Sequence, residues 1–295
     1  MLTGEYAVLD GATALALPTK MGQSMLIKPM KGSDLVWESY NGNEEKWFSS
    51  QLSLLDFSPV KTDNEEVSNL LKKLLKNAVR LNSDFLSKWN GFRVTTKLEF
   101  DRNWGLGSSS TLTYLIAQWA EVNPLMLHFR TFDGSGYDVA CAGADGPIEY
   151  FATDDEVSYT PIDFSPSYTK NLYFIYLGNK TSSSVAIKDY FKKVKSRKQF
   201  AKKIDEVSKE IMSAKSFTKF CQGIEKHEDL VSEALGLPKI KDEKFPDFWG
   251  CVKSLGAWGG DFALVCSLES EDKTKKYFSD KGYYVFYNYK DFILE

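Results

Sequence analysis

Between residues 34 and 79 the hydrophobic pattern changes its period, and that change restricts the chain to folds that mix sheet with helix. Asp34-Leu-Val-Trp-Glu-Ser-Tyr40 alternates, Asn41-Gly-Asn43 supplies a turn, and a second aromatic-rich run follows, which predicts a β-hairpin. Further on, apolar side chains fall at positions 67, 70, 71, 74, 75, 78 and 79. This is the stripe of an amphipathic helix, with Asp63 and Glu66 placed to cap its start. Residues 12–17 and 24–28 read as short strands, and Phe92 to Phe100 returns to alternation with β-branched residues. A helical pattern then runs from near Thr111 to Glu121, and a short one reaches Phe129.

The composition resets after Pro161. Asn171-Leu-Tyr-Phe-Ile-Tyr-Leu177 reads as a buried strand, followed by Lys-rich amphipathic helices over 184–195 and 198–214. Residues 257–267 predict a strand, 269–280 a helix and 283–287 a strand. The expected class is α+β, with two domains, 1–165 and 166–295.

Charge and cysteine usage narrow the function classes. Thirty-seven Lys+Arg against 40 Asp+Glu leaves a net charge of −3, which argues against a nucleic-acid partner. No apolar run approaches the roughly 18 residues needed to span a bilayer, so no membrane partner is expected. No basic segment followed by an apolar run opens the chain, so no signal peptide is expected. Cys141, Cys221, Cys251 and Cys266 are widely spaced, with no CxxC pair. That usage fits a reducing, cytoplasmic setting better than a disulfide scaffold or a zinc site. His128 and His227 read as structural.

Three segments concentrate glycine with small polar residues. Asn103-Trp-Gly-Leu-Gly-Ser-Ser-Ser-Thr111 follows a predicted strand and opens a predicted helix. Gly105 and Gly107 would let the backbone approach a ligand, and the amides of Ser108, Ser109 and Ser110 would present the positive end of the helix dipole to an anion. A serine hydroxyl there can ligate Mg2+ carried by a nucleotide. A plain capped loop before a helix is the competing reading. Gly134-Ser-Gly-Tyr-Asp138 offers a carboxylate on a tight turn, or an ordinary cap. Lys253-Ser-Leu-Gly256-Ala257-Trp-Gly259-Gly-Asp261 offers a close backbone approach to substrate or phosphate, or a strand-entry turn.

Taken together and in order, these segments resemble the GHMP kinase superfamily. Gly4-Glu5-Tyr6-Ala-Val8 is similar to that family's first motif, Gly105-Leu106-Gly107-Ser108-Ser109-Ser110 to its phosphate loop, and Gly256-Ala257-Trp-Gly259-Gly to its C-terminal glycine loop. The resemblance implies a ribosomal-protein-S5-like N-terminal domain, a ferredoxin-like C-terminal domain, and ATP-dependent phosphorylation of a small molecule. It implies that residues 105–110 hold the ATP phosphates and that Ser109 contacts Mg2+. Glu5, Tyr6, Gly256, Ala257 and Gly259 are then expected at the substrate, and Lys180 is a candidate for a substrate anion. A homodimer is compatible with it.

Gly134-Ser-Gly-Tyr-Asp138-Val is similar to a stretch of phosphomevalonate kinases and, more loosely, of mevalonate kinases and diphosphomevalonate decarboxylases. In those enzymes the Asp sits at the reacting hydroxyl, which makes Asp138 the expected base or hydroxyl-orienting residue. The leading expectation is a kinase acting on mevalonate or phosphomevalonate. A decarboxylase of that group, another small-molecule kinase and a non-catalytic nucleotide-binding relative are the alternatives. Two departures stand out. The family's opening strand and its lysine would precede Met1, which favours a truncated start. The position of a mevalonate-kinase Mg2+ glutamate falls on Leu127, with Glu121 and Asp133 nearby.

Overall fold

The computed structural model describes every residue except 89, 154, 179–182, 257 and 259, and describes 183 and 184 by their backbone alone. A 3-10 turn over Ala7–Asp10 precedes β1 (Ala14–Ala16), β2 (Gln23–Met30), β3 (Asp34–Tyr40), β4 (Lys46–Ser53) and β5 (Pro59–Thr62). Next come α1 (Glu65–Leu81), β6 (Gly91–Leu98), α2 (Ser108–Trp119), α3 (Pro124–Thr131) and α4 (Tyr137–Ala142). Then follow β7 (Ile148–Ala152), β8 (Val157–Pro161), β9 (Leu172–Tyr176), α5 (Ser183–Lys193), α6 (Arg197–Met212) and α7 (Phe217–Leu235). The chain closes with α8 (Ile240–Lys244), β10 (Cys251–Leu255), β11 (Phe262–Cys266), α9 (Glu271–Asp280), β12 (Phe286–Asn288) and α10 (Tyr289–Phe292).

The contacts group the chain into two compact units. One comprises Met1–Lys20, Asn103–Gly105 and Ala144–Glu295; the other comprises Met21–Arg102 and Leu106–Gly143. Residue 165, where composition alone suggests a boundary, lies inside the first unit. Strand pairing explains the difference, because β1 near the amino end pairs with β7, and β7 with β8.

In the unit built on 21–143, a sheet ordered β2-β6-β3-β4-β5 is antiparallel except where β3 and β6 run parallel. The alternation in β3 and β4 turns Leu35, Trp37, Phe48 and Leu52 inward, and α1 covers them with Leu71, Leu74, Leu75 and Ala78. Serine and threonine also turn inward. They satisfy one another: Thr96 Oγ1 donates to Ser39 Oγ at 2.8 Å and Ser68 Oγ to Ser50 Oγ at 2.7 Å. Pro29 lies in β2, an edge strand, where its missing N–H breaks no ladder.

The expected hairpin forms, with Asn41 Oδ1 accepting from the amides of Asn43 and Glu45. The helix cap differs from expectation by one residue. Asn64 accepts from the Val67 amide, while Asp63 is taken by the amide and hydroxyl of Ser49 on β4.

In the other unit, β9, α5–α7, β10, β11, α9 and β12 follow one another as strand, helices, strand, strand, helix, strand, and the sheet order is β10-β11-β9-β12. This is the ferredoxin-like arrangement, all antiparallel. Its core joins Tyr173, Ile175, Val252, Ala263 and Val265 of the sheet to Phe245, Phe248 and Phe278. A second cluster packs Tyr6, Ala7 and Ala12 of the amino-terminal segment against Tyr190, Phe200, Ile204 and Val231. Gly223, in mid-α7, lets α6 approach: a Cβ there would stand 2.6 Å from Ile211 Cγ1. Among the described residues no helix is long and apolar enough to cross a membrane.

Leu74 is fully buried and Leu55 is 73% exposed. Leu74→Ala is expected to cost about 2–5 kcal/mol of stability, against about 0.5 kcal/mol or less for Leu55→Ala, measured by urea unfolding followed by circular dichroism.

Candidate active site

The glycine-serine loop takes the backbone its sequence demands. Gly105 and Gly107 have φ of +68° and +80°, in the left-handed region, and α2 begins at Ser108 with Gly107 as its N-cap. Because Gly107 has no side chain, no cap oxygen occupies the helix start. The Ser110 amide bonds Gly107 O, whereas those of Ser108 and Ser109 meet no acceptor among the described residues. Ser109 is exposed, Leu106, Ser108 and Ser110 are half-buried, and Thr111 is fixed by its hydroxyl donating to Gln23 Oε1 at 2.7 Å. The result is a pair of bare amides at the positive end of a helix.

Gly105 is fixed by a neighbour that sequence reasoning missed. An added Cβ would lie 2.1 Å from the Asp261 carboxyl carbon, and Gly256 (φ +79°) stands on the same carboxylate, 3.4 Å from its Oδ2 by the same measure. Gly105 and Gly256 therefore stand against the same carboxylate, within one unit. Ala257 and Gly259 lie outside the described residues, as does Lys180.

Asp138 opens α4 immediately after Gly136, whose φ of +78° and close approach to Leu125, His128 and Phe129 leave no room for a side chain. The helix packs on α2 and α3, so the carboxylate and the serine loop share one helical layer. Asp138 reaches the surface, yet protein crowds it enough that desolvation raises its pKa above the ordinary 3.8, opposed by a hydrogen bond with Tyr137 and by the nearby His128. Burial in turn lowers the pKa of His128, which Asp138 and a hydrogen bond with the Gly134 backbone partly offset. His128 is thus a neighbour of the candidate carboxylate. Leu127 is fully buried in the apolar core and offers no metal ligand, whereas Glu121 and Asp133 are exposed.

The first motif lies elsewhere than at an open surface. Glu5 is 6% exposed and bonds the fully buried Lys253 ammonium, which also lies 3.6 Å from Glu228 Oε1 and donates to Ser254 O at 2.9 Å. Gly4 donates its amide to His227 Nε2 at 3.2 Å. Desolvation, then the Lys253 charge, holds His227 well below its ordinary pKa, and its Nε2 also lies 3.2 Å from Glu5 Oε2. Burial raises Glu228 to about 7, with Lys253 pulling the other way. Tyr6, at a left-handed φ of 59°, stacks on Tyr190 and accepts at its hydroxyl from the Trp258 amide at 2.8 Å.

Glu5 and Tyr6, expected at the substrate, tie the amino-terminal segment to β10 and the glycine loop after it. Burial decides this, since an isolated carboxylate there must find its cation inside the protein. Lys253, Glu228, His227 and Asp261 carry no functional expectation from the sequence. The available signal is Lys253 itself, an ammonium on an otherwise apolar run just before the glycines.

Removing one partner of a buried ion pair leaves the other charge unpaired. Lys253→Met is expected to lower stability by about 3–5 kcal/mol in denaturant unfolding, and Glu5→Gln in the same chain to restore much of it. For Glu228 the folded pKa, about 7, exceeds the ordinary 4.5. The stability it contributes is therefore complete below about 4.5 and lost as pH rises through about 7. The melting temperature of the native chain should fall relative to Glu228→Gln across that window.

No family model and no curated protein sequence matches the chain. Solved structures do. Mevalonate kinase of Methanococcus jannaschii is similar over 97% of this chain and 94% of its own, with 18% identity and a TM-score of 0.72. Streptococcus pneumoniae phosphomevalonate kinase, in complex with phosphomevalonate and AMPPNP, is similar over 96% of this chain and 94% of its own, with 18% identity and a TM-score of 0.65. Lactococcus lactis galactokinase complexed with galactose is similar over 95% and 86%, with 13% identity and a TM-score of 0.68. The chain has the fold of the GHMP kinases.

Proposed function

We propose that this chain is an ATP-dependent kinase that transfers the γ-phosphoryl group to a hydroxyl or phosphate of a small acceptor of the mevalonate or phosphomevalonate type. The observation that carries the reading is the start of α2: left-handed Gly105 and Gly107, and the amides of Ser108 and Ser109 without an acceptor among the described residues. Those groups fit a polyphosphate, which needs amide donors and close backbone approach. AMPPNP in the pneumococcal phosphomevalonate kinase supports a nucleotide there by analogy of fold.

In this reading residues 105–110 hold the ATP phosphates by their amides, and the exposed Ser109 hydroxyl is available to Mg2+. When bound, Mg2+ neutralises charge on the phosphates. Asp138 orients the acceptor hydroxyl and takes its proton. Its raised pKa makes it a better base than a solvated aspartate. Phosphoryl transfer asks for positioning more than for covalent chemistry, which suits one carboxylate in the same unit as a pair of bare helix amides. Gly256 and its neighbours would face the acceptor through backbone, and Glu5 would support them through Lys253 and β10.

The test is an acceptor screen with ATP and Mg2+ that includes mevalonate, phosphomevalonate, diphosphomevalonate, galactose and homoserine. Turnover of one of the first two is expected, without loss of CO2. Asp138→Asn should reduce kcat by about 10^2–10^4-fold while ATP still binds in calorimetry. Because the base must be ionised, the acid limb of kcat/KM should lie at a pH above the ordinary aspartate value of 3.8. Nucleotide binding with no acceptor phosphorylated would leave a binding protein and end the kinase reading.

A further inference from the structure

Three of the four cysteines, far apart in sequence, converge in the ferredoxin-like unit. Cys251 opens β10 and Cys266 closes β11, directly opposite each other in the antiparallel register, and Cys221 reaches them from the first turns of α7. Their sulfurs all lie within 4.8 Å of one another. Cys251 and Cys266 are buried, Cys221 is half-buried, and none forms a disulfide. Thiolates about 2.3 Å from a tetrahedral metal stand about 3.8 Å apart, so side-chain rotation of about 1 Å closes the sulfurs onto one ion.

We propose that Cys221, Cys251 and Cys266 form a site for one thiophilic d10 cation, Zn2+ or Cu+. Three soft donors with no carboxylate among them exclude Mg2+ and Ca2+ and select this class. Cys221, on the solvent side, gives the ion its way in and leaves a fourth position for water if the ion is Zn2+. Cu+ is satisfied by three thiolates alone. Coordination converts thiols to thiolates and releases their protons to solvent, up to three per ion.

The site would staple α7 to the β10–β11 hairpin. The same helix carries His227 and Glu228, and the same strand carries Lys253 two residues beyond Cys251. Metal therefore acts on the element that anchors the first motif, without entering the proposed chemistry at Asp138.

The test uses the reduced full-length chain, with Cd2+ as the spectroscopic probe, Zn2+ in native mass spectrometry, and Cu+ against a competing chelator. The proposal expects one equivalent bound, a sulfur-to-cadmium charge-transfer band, proton release on binding and a higher melting temperature. Zn2+ retained against the chelator, or Cu+ retained in its place, identifies the ion. Cys221→Ser, at a half-buried helix position that tolerates the change, should abolish the band, and Cys141→Ser should leave it intact. No band in the native chain, or an equal band in Cys221→Ser, overturns the proposal.

Discussion

A lysine with no access to water organises one unit of this protein. Lys253 lies on β10 among apolar side chains, and its charge is met by Glu5 from the first turn of the chain and by Glu228 from α7. Taking three ionisable groups out of water is costly, and the cost is offset only while all of them stay in register. Each group therefore fixes the others: the amino-terminal segment cannot leave β10 without stranding an ammonium, and α7 cannot slide without losing the Ser254 amide that Glu228 accepts. The His227 ring completes the arrangement by receiving the Gly4 amide.

That clamp continues along β10. The strand runs directly into the C-terminal glycine loop, where the Trp258 amide is held by Tyr6 and Gly256 stands against Asp261. Asp261 in turn fills the space beside Gly105. A chain of excluded side chains and satisfied charges thus links the first motif, the C-terminal glycine loop and Gly105, which share one unit although they are spread from residue 4 to residue 260. The motif residues play two different parts. Gly105 and Gly107 shape the backbone at the start of α2, whereas Glu5 and Tyr6 bind β10 and the loop after it.

Much of the architecture is legible along the chain. The stripe at 67–79 is α1 because four leucine and alanine positions recur on one face, and Asn41-Gly42 turns β3 into β4 because asparagine can bond the amides of its own turn. Boundaries move where a side chain has two suitors, as at Asp63, which Ser49 takes from the helix. The strand read over 257–267 shortens to Phe262–Cys266. α7 is not among the elements expected from sequence, although its apolar residues follow a helical period, and its central glycine is explained only by Ile211 packing on it.

The sequence by itself determined the periodicities, the α+β class, the three glycine motifs and the carboxylate at 138, because each of these is set by residues near one another in the chain. The tertiary structure alone decided that Glu5 meets Lys253, that Asp261 touches Gly105, and that Cys221, Cys251 and Cys266 converge despite a spacing that argued against a metal site. Those pairings depend on strand register and on helix approach. Residues distant along the chain share one dry space only once the sheet is built, and local pattern carries no record of that.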